Sequence, residues 1–391
     1  MAAAAAMSLV LGDDNLLGEI LLRLAFPTYL VRAAVACKRW LRVASSPAFL
    51  RHFRSVHPPR LLGFYANGGL CRPSEFWPAR HPPELASAVR RAASVFDAFP
   101  CGRWLYVMRS REDGCLLVSL TVSSSFIDAV FSPLLYPGRD GVILPSSSLA
   151  ARKSGIHCSC SSFVLLPEHS NDGLQGLKLL QIFRDGKPRA TVRINVFQNG
   201  EWGLHTSVVT KLLENSILEV MENGNKVYIT TKANIFVWDL VSSTCSVIDY
   251  PDEFHRGFDM GLLWKVNDSG VYLIKVIDES QLRIWLHRTV NGNLGDWVSM
   301  DTICLNTVFT GFGMPVGSFK LRYAGENPGF VLLEIECGFF CFNIHSKTLE
   351  KLFQMPPRVG RVEPWFASFC PLTMIWPPRF PTMKEGHDLQ E

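Results

Sequence analysis

Residues 227–249 read VYITTKANIFVWDLVSSTCSVID. Three short runs rich in β-branched and aromatic residues, Val227–Thr231, Ile235–Asp239 and Cys245–Asp249, are separated by small and polar residues. Runs of this length bounded by turn residues fit strands rather than helices. The stretch therefore predicts an antiparallel meander of three strands. The pattern recurs downstream in Val271–Val276, Leu282–His287 and Asp296–Trp297, and again in Phe330–Ile335, Phe339–Asn343 and Leu349–Phe353. The middle runs carry Trp238, Trp285 and Phe342 at equivalent places, 47 and 57 residues apart.

One meander cannot bury both of its faces, so such units must stack to make a core. Repeats of about 40 to 50 residues with several strands each predict an all-β propeller, and residues 58–380 have room for about six or seven blades. An open sandwich does not predict the aromatic recurrence. Upstream, Trp104–Arg109, Cys115–Thr121, Phe126–Phe131, Ser162–Leu166, Leu177–Phe183 and Thr191–Gln198 read as further, more degenerate strands. The stretch from Trp365 to Pro378 is expected to place a closing strand beside the first blade, which removes an exposed edge. Leu61–Pro83 has no clear period, and Glu84–Phe96 suits a helix by propensity and a strand by its Val89, Val95 and Phe96.

The chain before residue 57 has a different grain. Asp13 can cap a helix whose apolar residues fall at Leu16, Leu17, Ile20, Leu21 and Leu24, one face of a 3.6-residue repeat. Asp13 and Asp14 suit the positive end of its dipole and Arg23 the negative end. Pro27 is expected to stop it, with Thr28 capping a second helix that buries Leu30, Val31, Ala34 and Val35. Cys37–Val43 makes a further turn or two around a buried Trp40. Ser46-Pro47 marks the start of a last helix carrying Phe49, Leu50 and Phe53. His57-Pro58-Pro59 reads as a hinge leaving this head. So few residues rarely hold a core unaided, which predicts that the head completes its fold, or covers its apolar surface, against a partner.

The ordered series in the head closely resembles the F-box motif. It consists of an acid-rich start, Ile20-Leu21-Leu22-Arg23-Leu24, Leu30-Val31-Arg32, Val35-Ala36-Cys37-Lys38-Arg39-Trp40 and Ser46-Pro47-Ala48-Phe49. The region beyond resembles, through weaker motifs, the kelch-like four-stranded propellers that follow the F-box in large plant families. These resemblances imply an F-box over 8–54, a linker and the start of the associated domain over 55–100, the propeller over 101–380 and a flexible tail over 381–391. They also imply a substrate-receptor subunit of a Skp–cullin–F-box ubiquitin ligase, in which the head docks a Skp-type adaptor, and through it cullin, while the propeller holds a protein target. Matched by motif position, the adaptor-binding residues would be Leu11, Leu16, Ile20, Leu21, Leu30, Val35, Cys37, Lys38 and Trp40. The family usually opens on Leu-Pro, and here Leu11-Gly12 stands instead. Glycine is looser than proline in the unfolded chain, so weaker adaptor binding is expected.

Composition bounds the rest. The chain has 391 residues, 48% hydrophobic and 19% charged, enough for a sizeable core. Residues 1–60 hold eight Lys or Arg against three Asp or Glu, whereas the remainder holds 31 against 32. The basic surplus belongs to the head. Its basic residues alternate with core positions and lack a reading motif, so no nucleic-acid partner is expected. Eleven scattered cysteines without paired spacing point to a reducing, intracellular compartment, cytoplasm or nucleus. MAAAAAMSLVLG lacks the basic start of a secretory leader and runs straight into Asp13 and Asp14. No run of about twenty apolar residues follows, so no membrane span is expected.

No catalytic pattern emerges. Gly311-Phe312-Gly313 leads into no Lys-Ser or Lys-Thr pair, and neither a nucleophile elbow nor His-Glu-x-x-His occurs. His157-Cys158-Ser159-Cys160 and Cys337/Cys341 lack zinc-site spacing, and alternation along a strand face explains Cys158 and Cys160 more simply. His205, His255 and His287 fall in different repeats. The chain is therefore expected to be a recognition subunit, not an enzyme, with no cofactor and no metal. Recognition would fall to loops, with Arg256–Asp259, Asn291–Asn293 and Arg322–Asn327 as candidates. An F-box protein working outside the ligase, and a glycan-binding propeller, are the rival readings.

Overall fold

The computed structural model describes residues 13–381 apart from 58, 69–73, 98–104, 112, 123–124, 136–141, 146–158, 166–176, 185–188, 211–216, 256–260, 267–269, 291–292, 314–316, 318, 325–328, 336–337 and 355–365. Among the described residues four helices come first. Asp13 caps α1 (Asp14–Leu22) by accepting hydrogen bonds from the Asn15 and Leu16 amides at 2.8 and 3.5 Å. Pro27 does not end α1. It is the first residue of α2 (Pro27–Ala34), with Phe26 rather than Thr28 at the cap position. Its fixed φ and missing N–H suit that place. Next come α3 (Lys38–Ala44) and α4 (Pro47–Val56), the latter capped by Ser46 Oγ accepting from Phe49 N at 3.3 Å.

Leu17, Leu21, Leu30, Ala34, Ala44 and Phe53 form the head core, and Trp376 from the far end of the chain joins them. The chain thus supplies part of the head core in cis, and the expected cover by a partner concerns the apolar side chains that stay exposed, Leu16, Ile20 and Val35.

Two strands follow, β1 (Leu61–Gly68) and β2 (Glu75–Pro78), then a 3-10 turn at Pro83–Leu85 and α5 (Ala86–Ala93). Glu84–Phe96 is thus largely helical, and Val89 and Val95 are there because that side is buried. A second sheet holds β3 (Leu105–Ser110), β4 (Leu116–Val122), β5 (Ser125–Phe131) and β6 (Val142–Ile143). A third holds β7 (Ser159–Leu165), β8 (Lys178–Arg184), β9 (Ala190–Gln198) and β10 (Glu201–Thr210). In the fourth are β11 (Ile217–Asn223), β12 (Lys226–Thr231), β13 (Asn234–Asp239) and β14 (Cys245–Asp249). The fifth has β15 (Leu262–Val266), β16 (Gly270–Ile277), β17 (Gln281–Val290) and β18 (Asn293–Cys304), followed by α6 (Leu305–Gly311). The sixth has β19 (Phe319–Ala324), β20 (Phe330–Ile335), β21 (Gly338–Asn343) and β22 (Leu349–Gln354). Finally β23 (Phe366–Thr373) pairs antiparallel with β1, giving a first sheet ordered β2-β1-β23.

Six antiparallel sheets of three or four strands, read in sequence order, make a mostly-β body of propeller type. Outside the head, each core lies between two of them. Leu180, Ile182 and Val192 meet Val227, Phe236 and Trp238; Tyr228 and Val237 meet Leu273 and Trp285; Ile274 and Ile284 meet Val331 and Phe342. Trp238, Trp285 and Phe342 therefore occupy one equivalent position, on the third strand of a sheet and facing the sheet before it. The last and first sheets also share a core, where Leu332, Phe339 and Cys341 pack on Phe64, Trp77 and Phe369.

Turn chemistry repeats with the packing. Asp239 Oδ1 accepts from the Val241 and Ser242 amides, and Asn343 Oδ1 from those of His345 and Ser346. Ser242 bonds Thr244 and Ser346 bonds Thr348, each at 2.7 Å, while Ser243 and Lys347 take positive φ of 54° and 53°. A short polar side chain thus organises the same tight turn in two sheets. Trp238-Asp239 combines a core anchor with such a turn.

Asn67 ties the first sheet to the second. Its amide donates to Val107 O and Ser368 Oγ, both at 2.9 Å, and its oxygen accepts from Val107 N at 2.8 Å. Asn67→Ala leaves both Val107 backbone groups buried without partners, so urea unfolding should show a loss on the order of 3 kcal/mol.

Candidate functional site

The head surface follows from the register of α1. Leu17 and Leu21 point inward and are fully buried, while Leu16 and Ile20, one position earlier in each turn, are 44% and 36% exposed. Their spacing of four residues puts them on one flank. Val35, which ends α2, is 54% exposed, and Cys37 and Lys38 at the start of α3 are exposed as well. The motif-matched residues therefore divide. Leu16, Ile20, Val35, Cys37 and Lys38 lie on the surface, whereas Leu21 and Leu30 are buried together beneath it. Leu11 and Gly12 are outside the described residues. Trp40 is only half-buried, packed against the head core. Truncating it to alanine should cost about 1–2 kcal/mol, less than full burial of an indole would imply.

On the opposite flank of α1 an open groove runs along Gly18, Leu22, Val43 and Phe49, with Asp14 and Arg42 among its charged lining. Asp14 joins α1 to α3 here, accepting from Arg39 Nε at 2.6 Å and from Arg42 Nη2 at 3.2 Å. The Arg39 hydrogen bond holds the Asp14 carboxyl below its ordinary value of 3.8. A lowered folded-state value stabilises the head above the unfolded value and loses that contribution as pH falls through the folded one. An NMR titration of the full-length protein should therefore find Asp14 ionising at lower pH than an unpaired aspartate, and Arg39→Ala should raise it.

Side-chain contacts tie the head to the β body. Phe26 is buried in the core between the first and second sheets, with Tyr29 packed against it, and the Arg60 guanidinium lies 4.6 Å from the Phe26 ring centroid. His57 Nε2 bonds Leu22 O at 2.6 Å, and its ring rests on Phe53. These aromatic ties were invisible to motif matching, because no motif position falls on Phe26 or Tyr29.

Among the described residues no three His, Cys, Asp or Glu gather as metal ligands, and no helix is long and apolar enough to cross a membrane. His157, Cys158 and Cys337 lie outside the described residues, as do Arg256–Asp259, Asn291-Gly292 and the 325–327 part of the last candidate loop. His287 is buried against Trp297, a packing role.

Residues 106–380 match the family model described as "F-box protein AT5G49610-like, beta-propeller". Curated proteins give no match. Among solved structures, a protein of unknown function from Bacteroides caccae is 9% identical at a TM-score of 0.40, covering 80% of this chain and 99% of its own. The lectin SapL1, solved with alpha methyl fucoside, is 12% identical at 0.34, covering 66% and 81%. Apo AztD from Citrobacter koseri is 9% identical at 0.33, covering 70% and 76%.

Proposed function

This chain belongs to the family of F-box proteins with an AT5G49610-like beta-propeller, and on that premise we propose that it is a non-catalytic substrate receptor of a Skp–cullin–F-box ubiquitin ligase. Residues 8–54 act as the F-box, and the β body acts as a closed, six-bladed propeller that holds the protein target. The observation that carries this reading is the exposed apolar flank of Leu16 and Ile20, with Val35, Cys37 and Lys38 also at the surface of a head whose core Leu17, Leu21, Leu30 and Phe53 fill. Neighbouring apolar side chains left outside the core offer a surface to another protein. Leu21, Leu30 and Trp40 support that surface from below.

The mechanism is proximity. Adaptor and cullin hold one end of the receptor and the target the other, so target lysines reach a high effective concentration beside the charged conjugating enzyme without bond-making by this chain. Six shared cores support a six-bladed ring, the junction of Trp77 with Phe339 and Phe353 standing between the last blade and the first.

The test is affinity capture of the full chain from cells with the proteasome inhibited, probed for a Skp-type adaptor, cullin and ubiquitin-bearing proteins. All three should appear together. Capture of proteins that carry no ubiquitin and no adaptor would overturn the ligase reading.

A further inference from the structure

Three consecutive residues after β23 enter two different cores. Met374 is buried between the first and second sheets and Ile375 packs against the same core, whereas Trp376 is 6% exposed within the head core. The indole stacks on Phe53 with ring planes 6° apart and centroids 6.1 Å apart, and the Arg54 guanidinium lies 5.9 Å from its centroid. Phe380 packs against the head as well. Met374 N donates to Arg60 O at 2.8 Å, which ties this segment to the chain leaving the head.

Space has been left for this segment. Gly114 sits at φ +80° in the turn between β3 and β4, and a Cβ there would come within 2.9 Å of Ile375. Only glycine meets both the conformation and the close approach. In the other direction, Phe26 of the head enters the core that Met374 occupies. The exchange is reciprocal: the head lends a ring to the β body, and the β body lends one to the head.

From this we infer that Met374–Phe380 is an intramolecular clasp, with Trp376 as the positioning residue that fixes the head to the first sheet. β23 and Trp376 are three residues apart, so the head cannot release Trp376 without freeing the end of the strand that pairs with β1. Head and first sheet therefore open as one cooperative unit, while sheets farther round the body stay closed. The consequence is geometric. The docking surface on α1 keeps a set orientation to the β body, which no flexible linker between 57 and 60 would give.

Hydrogen exchange of the full-length protein tests this. Trp376→Ala should speed exchange in α1, α4 and β1 together, on the order of a hundredfold, and leave β12 and β13 unchanged. Trp376→Phe, which keeps a ring to stack, should recover most of the protection. Faster exchange in the head alone, with β1 as in the wild type, would overturn the clasp and leave Trp376 as an ordinary core residue. So would unchanged exchange everywhere. Should Trp376→Ala fail to fold, the wild-type protein answers: amides of α1 and β1 should merge on one denaturant-dependent opening, and separate openings would refute the proposal.

Discussion

The double substitution Leu16→Asp, Ile20→Asp is expected to abolish capture of a Skp-type adaptor while leaving the melting of the protein almost unchanged. Both side chains are substantially exposed, so a carboxylate at either place can reach water and the cost to stability is small. At an interface the same carboxylates would be desolvated without partners, a cost of several kcal/mol for the pair. Loss of binding should exceed about a hundredfold. Leu17 and Leu21, one position away in sequence and fully buried, supply the control. Leu21→Ala should cost about 2–5 kcal/mol of stability and lower adaptor binding only as far as it unfolds the head. Should Leu16→Asp, Ile20→Asp bind as the wild type does, the docking surface lies elsewhere on the head.

The second large effect is expected at the junction between last and first sheets. Trp77 is buried there, stacked on Phe353 at 4.4 Å with planes 4° apart and flanked by Phe339 and Phe369 at 4.9 and 5.5 Å. Each ring adds a little beyond its buried area, and Phe64 lies in the same seam with these four rings. Trp77→Ala should cost about 3–5 kcal/mol. Urea unfolding followed by intrinsic fluorescence and by far-UV dichroism measures it. A cost below about 1 kcal/mol would show that the seam carries little of the stability.

Much of this architecture was legible in the residues. Val227–Asp249 and its two later copies lie on paired strands, and Trp238, Trp285 and Phe342 share a structural position because each fills the gap to the preceding sheet. The expected closing strand is β23, beside β1. What escaped was the first strand of those repeats. Ile217–Asn223 carries Glu219, Glu222 and Asn223 among its apolar residues, so it shows no sustained β signal and is recognised only through its pairing with β12. Short strands that draw their stability from neighbours leave little local trace.

In the head, spacing identified the helices but could not tell Leu16 from Leu17 as outward or inward. Both fit the broad apolar stripe, and only packing separates them. Pro27 was misread for a physical reason: a proline is equally good at stopping one helix and opening the next, and the bend after Leu22 already stops α1. Least visible of all was Trp376. Nothing in a chain tells that an indole near residue 376 stacks on a phenylalanine at 53, since that pairing exists only once the β body brings the chain's ends together.

The most direct measurement is a calorimetric titration of the purified full chain with a purified Skp-type adaptor. The account predicts saturable one-to-one binding with a negative heat-capacity change, the mark of apolar surface leaving water, and its loss in Leu16→Asp, Ile20→Asp. Absence of saturable binding by the correctly folded wild-type chain at about 0.1 mM would contradict it.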